Sequence, residues 1–255
     1  MIPKIIHVTW FGDAPFPPLV IKCMKSWKRY LPDYQIMIWT KDNYDLDTNA
    51  WVKEAYAAKK YAFVSDFARF DVLYRFGGIY LDSDVEILKK FDLLLDNKAF
   101  AGFMSIPNII EAEVIGSEKG HPFMHQMMEY YANRHFIKSS GELDLTELPI
   151  ILYKMLSASS AITDESEQIV SDVHLYPPGI FTYHGDFLVQ SPIWSEIYSY
   201  HYGAGIGWRN KKQGLLAIFI RVLQHNSLRI IRIFNMFHIF KLYPKLWALY
   251  SKLMH

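Results

Sequence analysis

Hydrophobic positions in the first third of the chain switch between two periods. Residues 5–10, IIHVTW, form a β-branched apolar run that reads as a buried strand, stopped by Gly12. Pro17-Pro18 follows, where a helix can begin, and residues 19–30 carry apolar positions at helical spacing until Leu31-Pro32 ends them. Residues 35–39, QIMIW, predict a second strand, and a polar loop follows around residues 42–47. Two helices are expected over 50–60 and 64–75, the second capped by Ser65 and closed by Gly77. Residues 79–81 form a third strand, and 85–88 continue extended beyond an acidic turn.

Strands alternating with helices argue for an α/β sheet with parallel members. In such sheets ligands bind at the carboxyl ends of the strands, where Trp10 and Asp82 both fall. The middle of the chain is less periodic. It predicts strands near 100–103 and 113–116, a helix over 122–133, and loops around 139–141 and 157–166. From residue 213 onward the pattern changes again. Arg221, Gln224, His225, Arg229, Arg232 and Asn235 share one side of a helix. Val222, Leu223, Ile230, Ile233, Phe234 and Phe237 share the other; Leu228 and Met236 break the pattern, and Pro244 interrupts it. Residues 1–210 and 211–255 are therefore expected to be distinct units.

Charge sharpens that division. The net +1 conceals 18 basic against 26 acidic residues in 1–196, and nine basic residues with no acid in 197–255. The uncharged runs of the tail, residues 214–220 among them, are far short of the roughly 20 residues that span a bilayer. A basic amphipathic segment of this kind is expected to lie on an anionic membrane surface. Two other readings pack its apolar face against residues 1–196 or against a second copy, as a homodimer. Composition, 51% hydrophobic and 21% charged, excludes a disordered chain. One cysteine, Cys23, forbids an internal disulfide and suits a reducing compartment. The start of the chain shows no cleavage-like leader, so a cytoplasmic location is expected, peripheral on the inner membrane.

The candidate chemistry is concentrated in residues 62–86, AFVSDFARFDVLYRFGGIYLDSDVE. Asp82 and Asp84 leave a strand one residue apart, as carboxylates do that hold Mg²⁺ or Mn²⁺ against substrate phosphates. Asp84 would take the ion bridging a diphosphate, and Asp82 would reach sugar or ribose hydroxyls and metal-bound water. A solvated turn is the bland alternative. Asp66 and Arg69 share a helix face among apolar neighbours, where a charged pair is costly unless used. A guanidinium fork there suits a diphosphate or sugar hydroxyls, and a surface salt bridge is the alternative. Trp10 suits base stacking or core packing, and His7 suits a core role equally well. Residues 201–208, HYGAGIGW, suit either a glycine loop closing over a nucleotide or a linker.

The run AFVSDFARFDVLYRFGGIYLDSDVEILKKFDLLL closely resembles the signature of the glycosyltransferase family 32 sugar-binding region. IPKIIHVTWFG resembles that family's first strand, and IGSEKGHPFMHQMMEYYANRHF its middle segment. The resemblance implies a GT-A type nucleotide-diphospho-sugar transferase fold, a Rossmann-like mixed sheet. It also implies Mn²⁺ or Mg²⁺ dependence, a nucleotide-sugar donor (a UDP-sugar favoured over a GDP-sugar) and retention of anomeric configuration. By matching position, Asp66, Arg69 and Asp82 would be catalytic, and Asp82 and Asp84 would hold the metal. Trp10 would stack on the base, with Gly78 and Trp208 also at the donor. Relatives usually close this region with a His pair and a Ser-Trp. Here Tyr202 and Gly207 stand at those places, leaving His201 as the substitute third ligand. The expected reaction moves a hexose to a saccharide acceptor, lipid-linked, in bacterial surface polysaccharide synthesis, with no role for nucleic acid. The rivals are a non-catalytic sugar- or membrane-binding protein on the same fold and an Asp-x-Asp phosphatase. The latter wants Thr or Val where Glu86 stands.

Overall fold

The computed structural model describes residues 1–104, 107–181 and 197–203. The elements run β1 (Ile5–Thr9), α1 (Pro18–Tyr30), β2 (Gln35–Trp39), α2 (Ala50–Ala57), α3 (Tyr61–Phe76), β3 (Gly78–Leu81) and β4 (Val85–Ile87). They continue with β5 (Ala99–Gly102), β6 (Val114–Ser117), α4 (Pro122–Ala132), α5 (Leu148–Ser159), β7 (Gln168–Val170), β8 (Val173–Tyr176) and β9 (Ser199–His201). Seven strands form one mixed sheet in the order β2-β1-β3-β6-β5-β8-β7, and β4 pairs with β9 apart from it. β1 runs parallel to both β2 and β3, while β6 is antiparallel to β3. The α/β expectation therefore holds. Among the described residues no helix is long and apolar enough to cross a membrane.

The sheet is covered on both faces, and strand alternation decides which side chains go where. Ile6, Val8, Ile79 and Leu81 join the core beneath α1, with Cys23 and Trp27. Tyr80, the odd residue out on β3, turns to the other core, with Phe63, Phe67, Phe70 and Tyr131 from α3 and α4. The same alternation sends His7 and Thr9 of β1 toward the α3 side. His7 settles one open reading: it is fully buried, with Nε2 2.8 Å from Gly77 O and Nδ1 accepting from Trp39 Nε1 at 3.1 Å. It is a core residue.

Helix starts differ from the sequence expectation at one instructive place. α3 begins at Tyr61, a turn before the predicted start, and Ser65 lies inside it rather than at its cap. There the Ser65 hydroxyl donates back to Tyr61 O at 3.1 Å, an ordinary mid-helix arrangement. α2 stops at Ala57, and Asn49 caps its start by accepting from Val52 N at 2.9 Å. Gly77 ends α3 at φ +66°, where a Cβ would come within 2.7 Å of Lys119 N, so only glycine fits.

Gly78 needs correction as a donor-binding residue. It opens β3 at the end away from Asp82, and it is buried with φ +108°. A Cβ there would stand 2.7 Å from Ile5 O and 3.1 Å from His7 Nε2. Its role is close packing of β3 on β1. The predicted loop over 157–166 also gives way in part, because α5 runs to Ser159. The basic tail, Trp208 and most of the glycine loop lie outside the described residues.

Candidate active site

β1 and β3 are parallel neighbours, so the chain leaves both at the same sheet edge. β3 releases Asp82, whose N–H continues the ladder to β6 by donating to Glu113 O at 2.9 Å. Val85 N then donates to Asp82 O at 3.1 Å, closing a tight turn that carries Asp84. β9 docks against the strand after this turn, in a register that puts His201 opposite Val85. Tyr202 N donates to Asp84 O at 3.1 Å and extends the pairing to the turn itself. The result brings ligand atoms of Asp82, Asp84 and His201 within 4.8 Å of one another.

Beside this trio lies Arg69, one of the most buried charges of the described residues at 4% exposure. Its contacts explain how α3 tolerates it. Nη2 donates to Asp66 Oδ1 at 3.0 Å, Nη1 to Ala112 O at 2.6 Å, and Nε to Ser65 O at 3.2 Å. Nη1 also stands 3.6 Å from Asp82 Oδ1. The guanidinium covers the Tyr80 ring at 4.5 Å, a cation–π contact made possible because Tyr80 faces α3. Tyr80 OH donates to Asp82 Oδ1 at 3.0 Å and lies 3.0 Å from Thr9 Oγ1. Thr9 in turn donates to Ser65 Oγ at 2.8 Å. β1, α3 and β3 are thus tied together at the acidic turn.

Four carboxylates, Asp66, Asp82, Asp84 and Glu113, crowd around one guanidinium and one imidazole. Burial pushes Asp66 up to about 7 despite Arg69, with Asp82 and Glu113 adding to the rise. Asp82 is also raised, by burial first, with Asp84 and Glu113 reinforcing it against Arg69 and His201. Burial works against charge on His201, but Asp84, Glu113 and Asp82 outweigh it and lift the imidazole to about 10. His201 Nε2 lies 3.2 Å from Asp84 Oδ1, and Nδ1 lies 3.5 Å from Glu113 Oε1. A cluster this rich in carboxylate oxygen fits a hard divalent cation, and the excess of acids over fixed positive charge calls for one.

The structure brings together Asp66, Arg69, Asp82, Asp84 and His201 from the sequence reading. Trp10 follows β1 at the same sheet edge. It is only half-buried, its ring edge-to-face with Phe16 at 5.1 Å and Nε1 donating to Ala14 O at 2.7 Å. It is not a core residue. Glu113 was absent from the sequence reading; its only signal was a carboxylate at the start of a predicted strand. Tyr80 was seen there as part of a strand, with no chemical role.

Comparison with known proteins bears on residues 17–101, which match the family model described as "Glycosyltransferase sugar-binding region containing DXD motif". Inositol phosphoceramide mannosyltransferase 3 of Schizosaccharomyces pombe is 34% identical over 143 residues, 53% of this chain and 40% of that protein. Inositol phosphoceramide mannosyltransferase 2 of the same yeast is 24% identical over 220 residues, 85% of this chain and 61% of its own length. Mannosyl phosphorylinositol ceramide synthase CSH1 of Saccharomyces cerevisiae is 29% identical over 143 residues, 54% of this chain and 37% of that protein. The chain therefore spans less than two thirds of each of these relatives. Among solved structures, the PaToxG glycosyltransferase superposes with TM-score 0.46 at 20% identity, over 62% of this chain and 68% of that one. Asp66, Arg69, Asp82 and Asp84 all lie inside the matched region, and that part of the chain is similar to the DXD-containing sugar-binding region of glycosyltransferases.

Proposed function

We propose that this protein is a metal-dependent, retaining glycosyltransferase that moves a hexose from a nucleotide-diphospho-sugar to a lipid-borne saccharide acceptor. The observation that carries the reading is the convergence of Asp82, Asp84 and His201 within 4.8 Å, beside the buried Arg69. Asp84 and His201 would hold a divalent cation with Asp82, and an imidazole in the set favours Mn²⁺ over Mg²⁺. Such a cation, when bound, neutralises a diphosphate that four carboxylates would otherwise repel.

The chain's own residues do the rest. Arg69, fixed by Asp66 and two backbone carbonyls, offers a preorganised positive charge that stabilises the departing diphosphate or orients sugar hydroxyls. Asp66, its charge engaged by that guanidinium, is a poor covalent nucleophile. Retention is therefore assigned to same-face attack, with the leaving diphosphate helping to remove the acceptor proton. Trp10, half-exposed at the same edge, is assigned to the base. The relatives named for mannose transfer to an inositol phosphoceramide support a hexose donor and a lipid-borne acceptor. The basic tail would hold the enzyme on the cytoplasmic face of the membrane.

A thermal-shift screen of UDP- and GDP-sugars with and without Mn²⁺ tests the reading, followed by donor hydrolysis with wild type and Asp84→Ala. We expect stabilisation by one nucleotide-sugar class only when Mn²⁺ is present. Asp84→Ala should lose about 10²–10³-fold in turnover, several kcal/mol of transition-state stabilisation, while remaining folded. Near-wild-type turnover by Asp84→Ala at saturating donor would refute the metal assignment.

A further inference from the structure

We propose that Glu113 is the positioning residue for His201: its Oε1 accepts the proton on Nδ1, so that Nε2 is presented to Asp84 and the cation. The inference rests on the metal reading above and assigns a role to a residue outside the matched region, which ends at residue 101.

The need for such a residue follows from how His201 is mounted. It ends a three-residue strand whose backbone pairing with β4 sets where its Cα lies but leaves the ring free to turn. A ligand histidine must show one nitrogen to the metal and commit the other elsewhere, and a carboxylate on the second nitrogen is the usual device. Here the two nitrogens already face different acids, Nε2 toward Asp84 Oδ1 at 3.2 Å and Nδ1 toward Glu113 Oε1 at 3.5 Å.

Glu113 is itself held. Its Oε2 accepts from Ala112 N at 2.9 Å, and its carbonyl accepts from Asp82 N at 2.9 Å. Ala112 O, one residue back, accepts from Arg69 at 2.6 Å. The dipeptide at residues 112–113 therefore meets Arg69 and Asp82 through its carbonyls and His201 through its carboxylate, which the bond from Ala112 N holds in place. Both side chains are 12% exposed, so water competes little for the contact. The cluster of convergent ligand atoms comprises Asp82, Asp84 and His201; Glu113 stands behind the ring of the histidine rather than among them.

The test is a Mn²⁺ titration of the full chain, read by the electron paramagnetic resonance signal of free Mn²⁺, so that no turnover is needed. Wild type, Glu113→Gln, His201→Ala and the double variant form a cycle. Glu113→Gln should bind Mn²⁺ about 10–100-fold more weakly, His201→Ala at least as weakly, and the double variant no more weakly than His201→Ala alone. Equal weakening by Glu113→Gln in both backgrounds would reveal only a general charge effect and overturn the role. So would unchanged affinity in Glu113→Gln, or in His201→Ala, while wild type binds. A wild type that binds no Mn²⁺ would instead sink the metal reading, and the Glu113 role with it. Thermal melting checks each fold. If Glu113→Gln does not fold, Glu113→Asp, which keeps the charge but withdraws it by one methylene, enters the same cycle under the same outcomes.

Discussion

Tyr80 donates its phenolic proton to Asp82 Oδ1 at 3.0 Å while its ring lies under Arg69. One side chain therefore aims the first aspartate of the motif and supports the cation beside it. Asp82 is the more exposed of the two motif carboxylates, 30% against 8% for Asp84, so it has more freedom to lose. Tyr80→Phe keeps the ring contact and deletes only the hydroxyl. We expect a stability loss of about 1 kcal/mol and a fall in kcat/KM of about 10-fold. Thermal denaturation and steady-state kinetics measure the two separately. Unchanged kcat/KM would mean that Asp82 needs no such support.

Arg69 makes three geometrically distinct donations, to Asp66, Ala112 O and Ser65 O, which only a fork can satisfy at once. Arg69→Lys preserves the charge but strands buried acceptors, at a cost of about 2–4 kcal/mol. Transfer should fall further than nucleoside diphosphate binding in both Arg69→Lys and Asp66→Asn, because the guanidinium that Asp66 fixes is assigned to the charge that develops during transfer. Calorimetry with the nucleotide against kcat for transfer separates these effects. A variant that binds nucleotide far more weakly yet transfers normally would reverse the assignment.

These residues were legible for a physical reason. Asp66, Arg69, Asp82 and Asp84 lie within one helix-turn-strand segment, so local spacing predicts their proximity. Glu113 and His201 reach the site through an antiparallel strand and a short C-terminal one, and nothing in local pattern announces such pairings. β1 to β3 were readable because β-branched runs sit between clear turn signals. α5 was not, because Leu148–Ser159 is apolar on nearly every side and gives the helical period no contrast. Ser65 was misplaced because a serine before an apolar run looks like a cap. The real helix had already begun over Tyr61–Val64, without a side-chain cap of its own.

His7 provides a pH signature. Burial lowers its imidazole from the ordinary 6.5 to about 4, with Gly77 O only partly offsetting it. The unfolded chain takes up a proton as pH falls through 6.5, and the folded chain resists until about 4. The contribution is therefore complete above pH 6.5 and is lost as pH falls from there to about 4, to the extent of about 3 kcal/mol. Urea unfolding at stepped pH should show wild type losing more stability across that window than His7→Gln, whose amide can still donate to Gly77 O. Parallel curves for the two proteins would remove His7 as the cause.

The tail gives the prediction with the widest consequence. Residues 197–255 carry nine basic residues and no acid, and residues 221–237 pattern as an amphipathic helix. Near an anionic leaflet each Lys or Arg contributes about 1 kcal/mol, so half of them engaging gives appreciable binding beside the insertion of an apolar face. A lipid-borne acceptor would then be met in two dimensions rather than found from solution. The competing arrangements are specific. The excess of acids in residues 1–196 would attract the same basic face, and a dimer would bury the apolar one. Flotation of full-length protein and a 1–210 truncation with vesicles containing phosphatidylglycerol distinguishes them. We expect full-length protein to float with anionic vesicles, to be released by raised salt, and to stay behind with neutral ones. Equal recovery of the two proteins, or indifference to salt, would reject the membrane and leave the intramolecular and dimeric arrangements, which sedimentation then tells apart.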